Sequence, residues 1–145
     1  MTQEKKDLWE ELLLTSPTND ELCRIIISVP DLVEEAWSKL LVQRPRTEDL
    51  LFIMDHAGPD FAERAWRFFR RKIIARLVDH SALRRITTFP PAHRAEVAAL
   101  ILKDNPNSDD LRVIENCFPN LREEAKKHRA KRGKASKIIS EMLKR

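Results

Sequence analysis

The chain has 145 residues, 42% hydrophobic and 34% charged, which suffices for one domain with a real core and argues against a disordered chain. Two glycines, no tyrosine and few β-branched runs leave little of the turn chemistry that hairpins need, so the composition excludes a sheet protein and predicts an all-α fold. The net charge of +4 conceals a gradient: residues 1–65 hold 7 Lys and Arg against 14 Asp and Glu, a net of −7, whereas residues 66–145 hold 20 against 9, a net of +11. Such a division can steer partners of opposite need to the two ends.

The opening stretch, "MTQEKKDLWEELLLTSP", carries acids within its first helix and only a short apolar run. It reads as neither a signal peptide nor a membrane span, and a cytoplasmic protein without membrane association is expected. Its second half, "LWEELLLTSP" from Leu8, parallels "AWSKLLVQRP" from Ala36, placing Trp9 over Trp37 and Leu12 and Leu13 over Leu40 and Leu41. The array thus begins in mid-repeat, and self-association through this half repeat is one expectation.

From Pro17 a longer phrase recurs. Pro17, Leu22, Pro30 and Ala36 return 89 positions later as Pro106, Leu111, Pro119 and Ala125, with "EEA" kept both times. Pro45, Leu50, Ala65 and Trp66 restate Pro17, Leu22, Ala36 and Trp37, and a weaker copy places Leu83 for Leu22, Pro91 for Pro30 and Pro106 for Pro45. The reading is a half repeat at 3–16, repeats at 17–44, 45–77, 78–105 and 106–130, and a basic segment at 131–145 with a short amphipathic helix. Each unit reads as two short helices. Asn19, Thr47 and Ser108 are the expected N-caps, each followed by two acids that suit the positive end of a helix dipole. Pro30, Pro59, Pro91 and Pro119 stop the first helix and can serve in the first turn of the second.

The phrase "PTNDEL…VPDLVEEAWSKLL" resembles short bacterial two-helix repeats, broadly HEAT-like, over about residues 8 to 130. The resemblance implies a short α-solenoid: a right-handed stack of antiparallel helix pairs with about 9 to 10 helices. It further implies a scaffold or interaction module, since such arrays share architecture and no common chemistry.

Within this frame Trp9, Trp37 and Trp66 are expected in the core rather than on a ligand face, and Cys23 and Cys117 as buried free thiols. In the long second helix of the second repeat, Phe61, Ala65, Phe69, Ile73 and Leu77 make the buried stripe. Arg64, Arg67 and Arg71 make an exposed basic row, extended by Arg70 and Lys72, which is either a solvated face paired with acids or a ridge for phosphate or an acidic partner. No histidine pair has metal-ligand spacing, and no nucleophile or phosphate-loop motif occurs, so neither a catalytic residue nor a cofactor is expected.

The C-terminal run holds 10 basic and 3 acidic residues from Arg122 to Arg145. Lys126, Lys127, Arg129, Lys131, Arg132, Lys134 and Lys137 are candidates for phosphate or an acidic partner. With no aromatic residue after Phe118, contact with nucleic acid would run through phosphates and not through base stacking. Capping competes with this reading: Lys126 and Arg129 fall where Trp37 and Leu40 stand in the first repeat, giving the last unit a polar outer face. After Gly133, Ile138, Ile139, Met142 and Leu143 share one face of a short helix, fit either to fold back or to meet a partner. The expected function is a non-enzymatic scaffold or adaptor that binds another protein. A nucleic-acid-associated subunit is the alternative, and an enzyme with an unrecognised site the weakest reading.

Overall fold

The computed structural model describes residues 2–145, and these are all-helical, with no strand among them. Nine α-helices follow in order: α1 (Gln3–Leu14), α2 (Asn19–Ser28), α3 (Val33–Gln43), α4 (Thr47–His56), α5 (Pro59–Ile74), α6 (His80–Leu83), α7 (Arg94–Lys103), α8 (Ser108–Cys117) and α9 (Arg122–Lys144). Pro30, Pro91 and Pro119 each open a 3₁₀ turn ahead of the second helix of a pair, and Pro59 opens α5 directly, so the missing proline N–H falls where a helix start has no bond to make.

The chain divides into two compact units, residues 1–78 with 88–90, and residues 79–87 with 91–145. In the first, α2 packs on α3, α4 on α5, and α2 on α4. Leu22, Ala36, Leu40, Leu50, Leu51, Ile53, Ala65 and Phe69 are fully closed off from solvent. Trp37 is 5% exposed and meets Phe61 and Phe68 edge-on, while Trp66 is 1% exposed and packs with Phe69 and Phe89. In the second unit α6 packs on α7, α7 on α8 and α8 on α9, around Val97, Ala98, Ile101, Leu111, Ile114 and Ala125.

Several local expectations are corrected. The N-caps lie one residue earlier than read: Thr18 accepts from the Glu21 N–H at 3.2 Å and Asn107 from the Asp110 N–H at 2.9 Å, while Arg46 precedes α4. The cap falls directly after the proline, because the chain leaves Pro17, Pro45 and Pro106 extended and turns helical only at the second residue. Those three prolines are buried, and the residue before each, Ser16, Arg44 and Asn105, has a positive φ of 56°, 64° and 46°. A following proline disfavours the right-handed helical region, so the chain reverses there through the left-handed one.

In α5 the helix ends at Ile74, so Leu77, placed in the buried stripe by periodicity, lies beyond it and is 70% exposed. The first helix of the third repeat is only four residues, because Ile86-Thr87-Thr88 and the prolines after Phe89 favour a 3₁₀ turn over continuation. Trp9 is half-buried rather than core, and α1 has no buried residue at all. Cys23 is buried, but Cys117, at the end of α8, is exposed. Gly133 does not separate a last short helix: α9 runs unbroken through it, since a single glycine costs about 1 kcal/mol and the flanking residues are good helix formers.

Candidate functional site

The C-terminal helix α9 divides into an anchored and a projecting half. In the anchored half Ala125 is buried, the Arg122 side chain donates to the Glu115 carbonyl at 3.0 Å, and Arg129 pairs with the Glu115 carboxylate at 2.7 Å. Arg132 donates to the Pro106 carbonyl. It stands 89 positions after Gln43, whose amide donates to the Pro17 carbonyl at 3.1 Å, and so performs the same closure for the last repeat that Gln43 performs for the first. Arg129 and Arg132, both candidates by charge for an external ligand, thus each have a partner within the fold. Lys126 lies 3.4 Å from Glu123 on its own helix, an exposed pair of little energetic weight.

Past Arg132 every side chain is exposed. Lys127, Lys131, Lys134 and Lys137 make no ion pair among the described residues, and Ile138, Ile139, Met142 and Leu143 are 48%, 55%, 69% and 82% exposed. Two of these continue the packing face: Ala125, Arg129 and Arg132 lie at helical spacing with Ile139 and Leu143, so the stripe that rests on α8 runs on after α8 has ended, and Ile138 and Met142 lie on its flank. The projecting half therefore presents an apolar stripe bordered by unpaired ammonium groups.

The basic row of α5 belongs to the other unit and stands by itself. Arg64 forms a two-pronged pair with Glu34 at 2.8 and 2.9 Å, reaches Asp60 at 3.3 Å and lies over the Phe61 ring at 4.5 Å. The Glu34 partnership holds the guanidinium above, and the Glu34 carboxyl below, their ordinary ranges. Arg67 lies 4.0 Å from Glu63, Arg71 covers the Phe68 ring at 5.2 Å, Arg70 also has an interaction partner, and Lys72 is half-buried. Arg64 and Arg67 of this row thus meet acids of their own unit, as the solvated reading expects.

A polar cluster that the sequence reading passed over joins repeats within each unit. Asp110 on α8 is fully buried. It accepts from the Asn107 N–H at 2.9 Å and from Arg84 at 3.1 Å, and lies 2.6 Å from His80 Nδ1, whose Nε2 lies 3.1 Å from Asp104. Burial of the His80 ring opposes its charge, but hydrogen bonds and charges from Asp110 and Asp104 outweigh that and raise its pKa above the ordinary imidazole value. Burial likewise acts to raise Asp110, and His80, Asn107 and Arg84 more than offset it, leaving the carboxyl below its ordinary range. The first unit holds the counterpart at the same spacing of 30: Asp49, 3% exposed, accepts from the Arg46 N–H at 2.8 Å and from Asn19 at 3.1 Å. Asn19 and His80 occupy one repeat position, as do Asp49 and Asp110; Ala82 stands there in the third repeat. The signal lay in that spacing, hidden because Asn and His do not look alike. Both imidazole nitrogens of His80 face carboxylates directly, and no group of His, Cys, Asp and Glu fit to hold a metal occurs among the described residues.

On the acidic side, Trp9 and Leu13 of α1 with Glu34, Glu35, Ser38, Lys39 and Val42 of α3 line an open groove of about 460 Å³. No helix among the described residues is long and apolar enough to cross a membrane. Comparisons with protein-family models, curated proteins and solved structures find nothing that matches this chain, so the candidate surface stands on its own geometry.

Proposed function

We propose that this chain is a non-enzymatic helical-repeat scaffold, a short right-handed α-solenoid of HEAT-like pairs, that binds another protein through the projecting half of α9. One observation carries the reading: the packing face of α9 continues past α8 into exposed Ile139 and Leu143, and exposed Ile138 and Met142 widen it on one flank, so a helix already held at one end offers an apolar surface at the other. A helix pre-formed in this way binds without the full ordering cost of a free peptide. The repeated ties, Asn19 to Asp49 and His80 to Asp110, favour a stacked array over an unrelated helical bundle. Buried charge here serves structure, which weakens the case for an enzyme.

The test is capture of partners with the tagged chain from nuclease-treated lysate, beside a variant carrying Ile138→Asp and Met142→Asp. A partner that survives nuclease and is lost with the variant is expected. Partners that all disappear with nuclease, or that bind the variant equally, would refute the reading.

A second reading rests on the unpaired Lys127, Lys131, Lys134 and Lys137, which could hold phosphates of a nucleic acid. It requires duplex or single-strand binding that falls steeply with salt and whose slope flattens when Lys131, Lys134 and Lys137 become Gln. Absence of binding at low salt contradicts it.

A further inference from the structure

Helix α1 and the projecting half of α9 each leave an apolar face uncovered. In α3, α5 and α9 the alanine at one repeat position, Ala36, Ala65 and Ala125, is 0% exposed, because the first helix of the same repeat lies over it. The same position in α1 is Leu8, which is 57% exposed, and Leu12 stands where Leu40 and Phe69 are fully buried. The side of α1 that should meet a first helix is therefore apolar and uncovered. It is bordered by Glu4 and Glu11, at i−4 and i+3 from Leu8, and by Lys5 at i−3, whose ammonium is taken up by Asp31 at 2.9 Å.

The projecting half of α9 carries the pattern of a first helix. Leu22, Ile25, Ile26 and Val29 define that pattern in the first repeat, at i, i+3, i+4 and i+7, and Ala135, Ile138, Ile139 and Met142 repeat it, with Lys137 for Arg24 and the paired isoleucines in register. From Gly133 to Lys144 this half spans about 18 Å, the length of α1 and slightly more than the ten residues of α2, α4 or α8. Its border is cationic, with Lys131, Lys134 and Lys137 unpaired, where the border of α1 is anionic.

We infer that the projecting half of α9 docks onto the Leu8 face of α1 in a second copy of this chain, lying there as α2 lies on α3. The inference rests on the reading of α9 as a protein-binding helix and names its partner. Like charges disfavour two α9 helices meeting each other, whereas the acidic α1 and basic α9 attract. The contact is heterologous, donor face to acceptor face, so copies join head to tail and the chain of copies stays open unless a rotation closes it. One helix laid on one face falls at the small end of specific interfaces, below about 1,200 Å², so the association is weak and salt-sensitive.

Sedimentation of the full chain at about 100 μM and low salt tests this at the weak end of the affinity range. The weight-average mass should exceed the 17.0 kDa of one chain, include species beyond a dimer, and fall at high salt. Leu8→Lys removes the acceptor, and Ile138→Asp with Met142→Asp removes the donor; all three side chains are exposed, so circular dichroism should be unchanged. Each variant alone should be monomeric, and an equal mixture should yield a dimer and nothing larger, because one intact acceptor then meets one intact donor. A monomeric wild type, variants that still associate, or a mixture that stays monomeric would overturn the inference. A nuclease-resistant partner lost with the α9 variant would in that case still stand, which separates this failure from failure of the scaffold reading.

Discussion

Replacing Asp110 by alanine removes the acceptor on which the second unit closes. The carboxylate is 0% exposed and serves the Asn107 N–H, Arg84 and His80, whose side chains are 25% and 20% exposed in the last two cases. Breaking a buried pair costs about 3 to 5 kcal/mol, and the residual exposure of both cations places this change near about 3 kcal/mol, a large share of a small domain's stability. The pH dependence follows from the same contacts. His80 has a raised pKa in the folded chain, so its contribution is complete below about pH 6.5, the ordinary imidazole value, and is lost as pH rises through the raised one. Asp110 is lowered, so its contribution is present above about pH 3.9 and is lost as pH falls through the lowered value. Stability of this unit should therefore be greatest between about pH 4 and 6.5 and decline towards alkaline pH. His80→Asn installs the residue that Asn19 provides in the first unit, and should abolish the alkaline decline while keeping a bond to Asp110. Urea unfolding followed by circular dichroism reads both units, whereas tryptophan fluorescence reads only the first, since Trp9, Trp37 and Trp66 all lie there. The reasoning fails if Asp110→Ala lies within about 0.5 kcal/mol of wild type, the ordinary range of surface changes, or if His80→Asn keeps the alkaline decline.

Trp66→Ala should cost about 3 to 5 kcal/mol, as expected for a buried indole packed on Phe69 and Phe89, and Trp9→Ala about 1 kcal/mol or less, measured by the same unfolding curves. Iodoacetamide should label exposed Cys117 and leave Cys23 unmodified until the chain unfolds, because burial, then the charges of Asp49 and Asp20, push the Cys23 thiol up to about 12; equal labelling in native protein contradicts this. Gly133→Ala meets open space and should stabilise α9 locally by about 1 kcal/mol, visible as slower amide exchange on both sides of the site.

The all-helical fold was legible because scarce glycine leaves no means to build tight hairpins, and Ala36, Ala65 and Ala125, aligned with one another in the sequence, are all closed off from solvent. In the basic row of α5 the pairing of Arg64 was hidden, because its acid, Glu34, lies 30 residues away in the sequence. Arg132 shows the limit of reading charge by count: its identity says cation, but its place in the repeat is that of Gln43, and place decides the bond. The tie between His80 and Asp110 was illegible for the converse reason, since the residue types differ from Asn19 and Asp49 at one end while the geometry is shared. The third repeat was the least legible, because Ile86-Thr87-Thr88 replaces a helical turn and no periodicity announces a 3₁₀ segment.

The central claim, that the projecting half of α9 is a binding element not held by its own chain, is tested most directly by amide hydrogen exchange along α9. In dilute chain, residues 133–144 should exchange at least about tenfold faster than residues 122–132, because a helix of this length is marginal without a neighbour. Protection of 133–144 should then rise when a partner, or a high concentration of the chain itself, covers the stripe. Equal protection of both halves in dilute chain, unchanged on adding either, would contradict the account.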